Sequence, residues 1–133
     1  MPPVGSGLKL FSGAAVLITL PDGDKVKGAA VAASDPARAE AIKRRLPFPL
    51  TRDYMHALAI LDRRVVDIPD AANPPIELTI GAQNFLATGY RAVTIMPLMR
   101  GDDAIGTLSV LRIAPGPLSD NQIALLETSP TRQ

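Results

Sequence analysis

Apolar positions in this chain come in short runs whose spacing separates strands from helices. The longest are Tyr90–Met99 and Ala104–Ile113, on either side of the polar break Arg100-Gly101-Asp102-Asp103. Such a pair of runs about a short break predicts a β-hairpin, and the shortage of polar alternation places it centrally in a sheet. A helix start follows. Ser119 stands as N-cap with Gln122 three residues on, and Leu118 and Ile123 are placed for a hydrophobic staple.

The Pro/Gly-rich residues 1–12 read as a flexible arm. Gly13–Leu20 predicts a strand, Pro21-Asp22-Gly23-Asp24 a turn, and Lys25–Ala33 the return strand. In its first half Lys25 and Lys27 alternate with Val26 and Gly28, so one face meets water. Asp35-Pro36 opens a helix in which Glu40 and Arg44 stand four apart, a pair that adds a few tenths of a kcal/mol. Leu46-Pro47-Phe48-Pro49-Leu50 is extended, because proline drives its predecessor from the helical region. Thr51 caps a second helix with Asp53 in its first turn. Its apolar stripe is Tyr54, Leu58 and Leu61, widened by Met55 and Ala59. Val65–Pro69 is a short strand and Asp70–Pro75 a loop. Ile76–Thr88 is a helix stopped by Gly89. Pro97 lacks a ladder donor, so a bulge or an unpaired stretch is expected there. The resulting order, β-β-α-α-β-α-β-β-α, describes a small α+β domain.

Composition narrows the chemistry. The 133 residues form one domain, and 14 basic against 13 acidic side chains give a net charge of +1. That balance points to neither nucleic acid nor a membrane surface as partner. Lys43-Arg44-Arg45 and Arg63-Arg64 are the basic clusters, each at a predicted helix C-terminus, where the helix dipole favours cations. There is no cysteine, which removes disulfides, thiol catalysis and thiolate metal sites. No apolar run approaches the roughly 20 residues of a membrane span, and the start lacks the layout of a signal peptide. A cytoplasmic location is expected.

The element order and several local motifs resemble the GAF domain, a module of bacterial sensor histidine kinases and adenylate or guanylate cyclases. The matching pieces are Leu61-Asp-Arg-Arg-Val-Val-Asp-Ile-Pro-Asp70, Gly89-Tyr-Arg91, Met96-Pro-Leu-Met-Arg-Gly101, Ile105-Gly106 and Leu118–Thr128. The resemblance implies a six-stranded antiparallel, PAS-related sheet with helices on both faces and a ligand pocket under the connecting helices. It assigns 13–128 to the domain. It also implies a small-molecule ligand, a homodimer, and an output kinase or cyclase domain in a parent protein or separate partner. The terminal helices are shortened relative to the family. The tail Ser129-Pro130-Thr131-Arg132-Gln133 looks non-native, because shifting the family's usual Phe-Ala-Asp-Gln codons by one base spells Ser-Pro-Thr-Arg. Relatives that reduce free methionine sulfoxide depend on cysteines, so no enzymatic activity is expected.

The candidate site residues are few. His56 is the sole histidine: some GAF domains bind haem through such a residue, and it would also suit a contact to a small molecule. The plainer expectation is a half-exposed helix residue. Tyr54, Phe85 and Tyr90 are, in a chain so poor in aromatics, the expected pocket walls. Tyr54, His56, Phe85 and Tyr90 are therefore the ligand-binding candidates, with no catalytic residue, no metal ligand and no named cofactor. Asp62, Asp67 and Asp70 lie close in sequence, but loop capping suits Asp70 better than metal binding. Ser12, Ser109 and Ser119 sit in no Gly-x-Ser-x-Gly context. Neither a phosphate loop nor Gly-x-Gly-x-x-Gly occurs. Two functions remain: a regulatory small-molecule sensor, or a filled module used for dimerisation or protein interaction.

Overall fold

The computed structural model describes residues 14–33 and 35–116. Strands β1 (Ala14–Asp22) and β2 (Lys25–Ala33) form the first hairpin, followed by helix α1 (Pro36–Lys43) and the two-residue strand β3 (Phe48–Pro49). Helix α2 (Met55–Asp62) leads to β4 (Val66–Ile68). A 3-10 turn (Ile76–Leu78) then runs into helix α3 (Thr79–Leu86), and β5 (Ala92–Arg100) and β6 (Asp103–Arg112) close the described chain. All pairings are antiparallel in one six-stranded sheet of order β3-β2-β1-β6-β5-β4. The predicted hairpin is β5–β6, and β6 lies inside the sheet. The capped helix from Ser119, the 1–12 arm and the 129–133 tail lie outside the described residues.

Both hairpins turn on Gly-Asp. Asp22 pairs with Lys25 and Arg100 with Asp103, leaving Gly23-Asp24 and Gly101-Asp102 at the tips. Gly23 and Gly101 take φ of 61° and 62°, which glycine reaches without the Cβ penalty. The irregularity expected at Pro97 falls one step later. Pro97 pairs with Thr107, and the register shifts between Leu98 and Met99, where Ile105 is the extra residue on β6.

One sheet face carries the main core. Ala15 and Leu17 of β1, Val93 and Ile95 of β5, and Leu111 of β6 are buried with Met55, Leu58 and Ala59 of α2 and Ala82 and Phe85 of α3. Helix α2 is buried at six successive positions, Met55 to Ile60, rather than along one stripe. It starts later than expected. Tyr54 occupies the cap position with no side-chain bond, while the Thr51 hydroxyl turns to Asp53. A missing cap costs roughly 1 kcal/mol, whereas burying each of Met55, Leu58 and Ile60 gains about 1.5–3 kcal/mol, so packing sets where the helix begins. Helix α1 follows expectation at its start, with Asp35 Oδ1 accepting from Ala37 N at 2.9 Å and Pro36 in the first turn. Its ion pair is Glu40–Lys43 at 3.6 Å instead of Glu40–Arg44. The expected helix over 76–88 is divided between the 3-10 turn and α3, and Gly89 follows at φ 89°.

Gly106 of β6 leaves no room for a side chain beside β1. A Cβ there would stand 2.4 Å from the Thr19 carbonyl oxygen, a backbone atom that cannot step aside. Gly106→Ala should therefore destabilise the domain by about 3 kcal/mol through overpacking. Thermal or urea unfolding checks this, and an unchanged midpoint would refute it.

Candidate functional site

Between the sheet and the three helices lies a cavity of about 30 Å³. On its floor are Leu17 and Leu111 from the sheet and Met55 and His56 from α2, all buried. Phe48 and Tyr54 stack on one side, with ring centroids 5.0 Å apart and planes 8° from parallel. Phe85, Gly81, Asn84 and Thr88 come from α3 and the turn after it. Arg45, exposed beyond the end of α1, stands at the rim with the half-buried Leu46.

The sheet face of the site holds a buried polar pair. His56 is 5% exposed and Ser109 0%. His56 Nε2 lies 3.0 Å from Ser109 Oγ, and the Ser109 hydroxyl lies 3.3 Å from the Leu17 carbonyl oxygen. One arrangement makes both bonds at once: Ser109 donates to Leu17, and neutral His56 donates from Nε2 to Ser109. Burial pushes the His56 pKa down to about 4, so the ring is uncharged at neutral pH. The half-exposed helix residue expected from sequence is thus a buried one, because α2 turns this side of itself onto β6. The pair also juxtaposes a hydroxyl and an imidazole, as hydrolases do. Here Ser109 does not border the cavity, no carboxylate among the described residues orients the ring, and a base this weak takes no proton near pH 7. The pair ties helix to sheet.

Of the four candidate ligand contacts, the structure brings Tyr54, His56 and Phe85 to the cavity. Tyr90 is elsewhere: it is buried, with the Arg38 guanidinium 5.4 Å over its ring. Burial raises its pKa, against the opposing charge of Arg38. The three nearby aspartates have separate partners. Asp62 takes Arg52 at 2.9 Å and Asp67 accepts from Thr94 at 2.7 Å. Asp70 caps its loop through Ala72 N and receives Arg91 through two nitrogens, at 2.9 and 3.2 Å; Arg91 holds its carboxyl below the usual range. Among the described residues no group of three such ligands could hold a metal. Sequence reasoning missed Phe48, Arg45 and Asn84 at the site. Phe48 lay in a Pro-flanked stretch read only as extended, and Arg45 in a basic run read as a helix end.

Two glycines set the walls. Gly81 N donates to the Asp53 carbonyl at 2.9 Å, and a Cβ at Gly81 would stand 2.6 Å from that same oxygen. Helix α3 is thereby held tight against the segment leading into α2. On the other side, Leu46 Cδ1 lies 2.9 Å from where a Cβ of Gly28 would be. Leu46 also borders a second, open groove of about 370 Å³ that follows β2 past Lys27–Val31.

The GAF domain family model matches residues 8–129. Among solved structures, a GAF domain region from Geobacter sulfurreducens PCA superposes with a TM-score of 0.70 at 20% identity, over 94% of this chain and 81% of that one. A type II free methionine-R-sulfoxide reductase from Thermoplasma acidophilum reaches 0.64 at 17%, over 86% and 71%. A domain assigned to a two-component sensor histidine kinase of Sinorhizobium meliloti 1021 reaches 0.63 at 13%, over 94% and 79%. At these identities the likeness is one of fold. No curated protein matches the sequence. No helix among the described residues is long and apolar enough to cross a membrane.

The neutral, buried His56 makes a pH prediction. Unfolded, the ring takes a proton near pH 6.5; folded, it resists until about 4. Its contribution is therefore complete above pH 6.5 and is lost as pH falls from 6.5 to 4, by roughly 3 kcal/mol in all. His56→Gln, which keeps a donor toward Ser109, should flatten unfolding free energy against pH across that window. Parallel curves for the two proteins would show that His56 does not resist protonation in the fold.

Proposed function

The chain belongs to the GAF domain family, and on that premise we propose that it is the small-molecule-sensing regulatory module of a cytoplasmic bacterial signal-transduction protein. One observation carries the reading. The cavity is closed below by the apolar core, yet its upper polar groups (Arg45, Tyr54 and Asn84) make no side-chain hydrogen bond or ion pair among the described residues. A packed core with partner-free polar tips around a concave space is how ligand pockets are built. Tyr54, His56 and Phe85 would contact the ligand. The output would be a kinase or cyclase domain, in the same parent protein or in a separate partner. Turnover is no part of this reading, since the chain has no cysteine and Ser109 is sealed from the cavity.

The size of the cavity favours a second reading. About 30 Å³ holds on the order of two waters, so in this state the space is nearly filled by its own side chains. A module of that kind would serve dimerisation or protein interaction without a ligand.

Thermal shift of the whole chain against nucleotides, haem and small organic acids separates the two. A ligand specific to the folded state, present at a hundredfold its Kd, adds about 2.7 kcal/mol. Tyr54→Ala should fold and lose that response. If no compound raises the melting temperature, or if Tyr54→Ala simply unfolds, the interaction module takes the place of the sensor.

A further inference from the structure

We propose that the cavity takes a small organic acid, with an apolar body against Phe48, Tyr54 and Phe85 and a carboxylate held at the rim by Arg45. The inference rests on the sensor reading and adds the chemical class of the ligand. Charge is the first argument. Among the described residues Arg45 is the one charged residue bordering the cavity, and no aspartate or glutamate does. A cationic ligand would face Arg45 with no counter-charge nearby, whereas a carboxylate would meet a planar fork of donors matched to it.

Availability is the second argument. The neighbouring basic side chain Lys43 is engaged with Glu40 at 3.6 Å, and Arg52, Arg64 and Arg91 hold Asp62 or Asp70. Among the described residues Arg45 has no such partner, and neither the Asn84 amide nor the Tyr54 hydroxyl has a hydrogen bond there. These three stand where exposure increases toward solvent: Arg45 is exposed, and Tyr54 and Asn84 are half-buried. The buried remainder is apolar save for Thr88 and His56. Thr88 is satisfied by the Phe85 carbonyl and Tyr90 N, and His56 is bonded to Ser109. An acid head at the rim and a hydrocarbon body inside follow from that gradient. The present volume limits the body to a few heavy atoms unless a wall yields. Gly81 fixes the α3 wall to Asp53, so the yielding side is the half-buried Leu46 beside Arg45.

The test uses the whole chain with isovalerate, benzoate and phenylacetate, each beside its uncharged amide, and with isoamylamine as a cationic probe. Calorimetry or ligand-observed NMR reads binding. The expected result is that at least one acid binds and its amide binds at least about tenfold more weakly. Arg45→Gln should lose about tenfold toward the acid while keeping its affinity for the amide, and Arg45→Lys should recover part of the loss. Arg45 is exposed, so these variants should fold, and the unchanged amide affinity confirms it. Equal binding of acid and amide, unaltered acid binding by Arg45→Gln, or preference for the amine overturns the carboxylate assignment and leaves the sensor reading standing. Failure of every probe and of the wider screen overturns both.

Discussion

The fold depends on laying α2 flat on the middle of the sheet. From Met55 to Ile60 every residue is buried, which a helix tolerates only if each polar group it carries finds a partner. The backbone provides its own. The one polar side chain in that stretch, His56, must be answered from the strand beneath, and Ser109 of β6 is there at 3.0 Å. With that bond made, Leu58 and Ala59 join the sheet residues in one core while Ala57 and Ile60 close over Val26 and Phe48. The cavity is what remains between this fixed helix, α3 and the end of α1.

Reading the sequence recovered most of the architecture because the hairpins announce themselves. Two long apolar runs about Gly101-Asp102, and a second pair about Gly23-Asp24, carry both the strand pattern and the turn chemistry. Helix α2 was legible as a helix but not in its environment. When nearly every face is buried, no 3.6-residue period marks one side, and Tyr54-Leu58-Leu61 was an incomplete stripe. For the same reason His56 read as half-exposed: nothing in the local sequence shows a serine 53 positions away. Tyr90 and Phe85 looked equivalent as large side chains near α3. The turn at Gly89 separates them, sending Phe85 to the cavity and Tyr90 under Arg38.

The buried His56 and the exposed Arg45 show two ways the fold handles a basic group. Burial strips His56 of its charge, and its single hydrogen bond then suffices. Arg45 is exposed at the rim, where water solvates its guanidinium. Deep inside, a guanidinium would need a carboxylate to offset its desolvation, and among the described residues no carboxylate borders the cavity.

Leu46 separates two spaces of unlike size, a small one beneath the helices and a wide trough along β2, and the missing side chain at Gly28 is what gives it room. A partition one residue thick couples its two sides. Whatever swells the inner chamber by displacing Leu46 takes volume from the trough, and whatever lies in the trough against Leu46 resists that swelling. Any ligand on one side that displaced Leu46 would meet whatever filled the other, and the opposition would be the same in both directions.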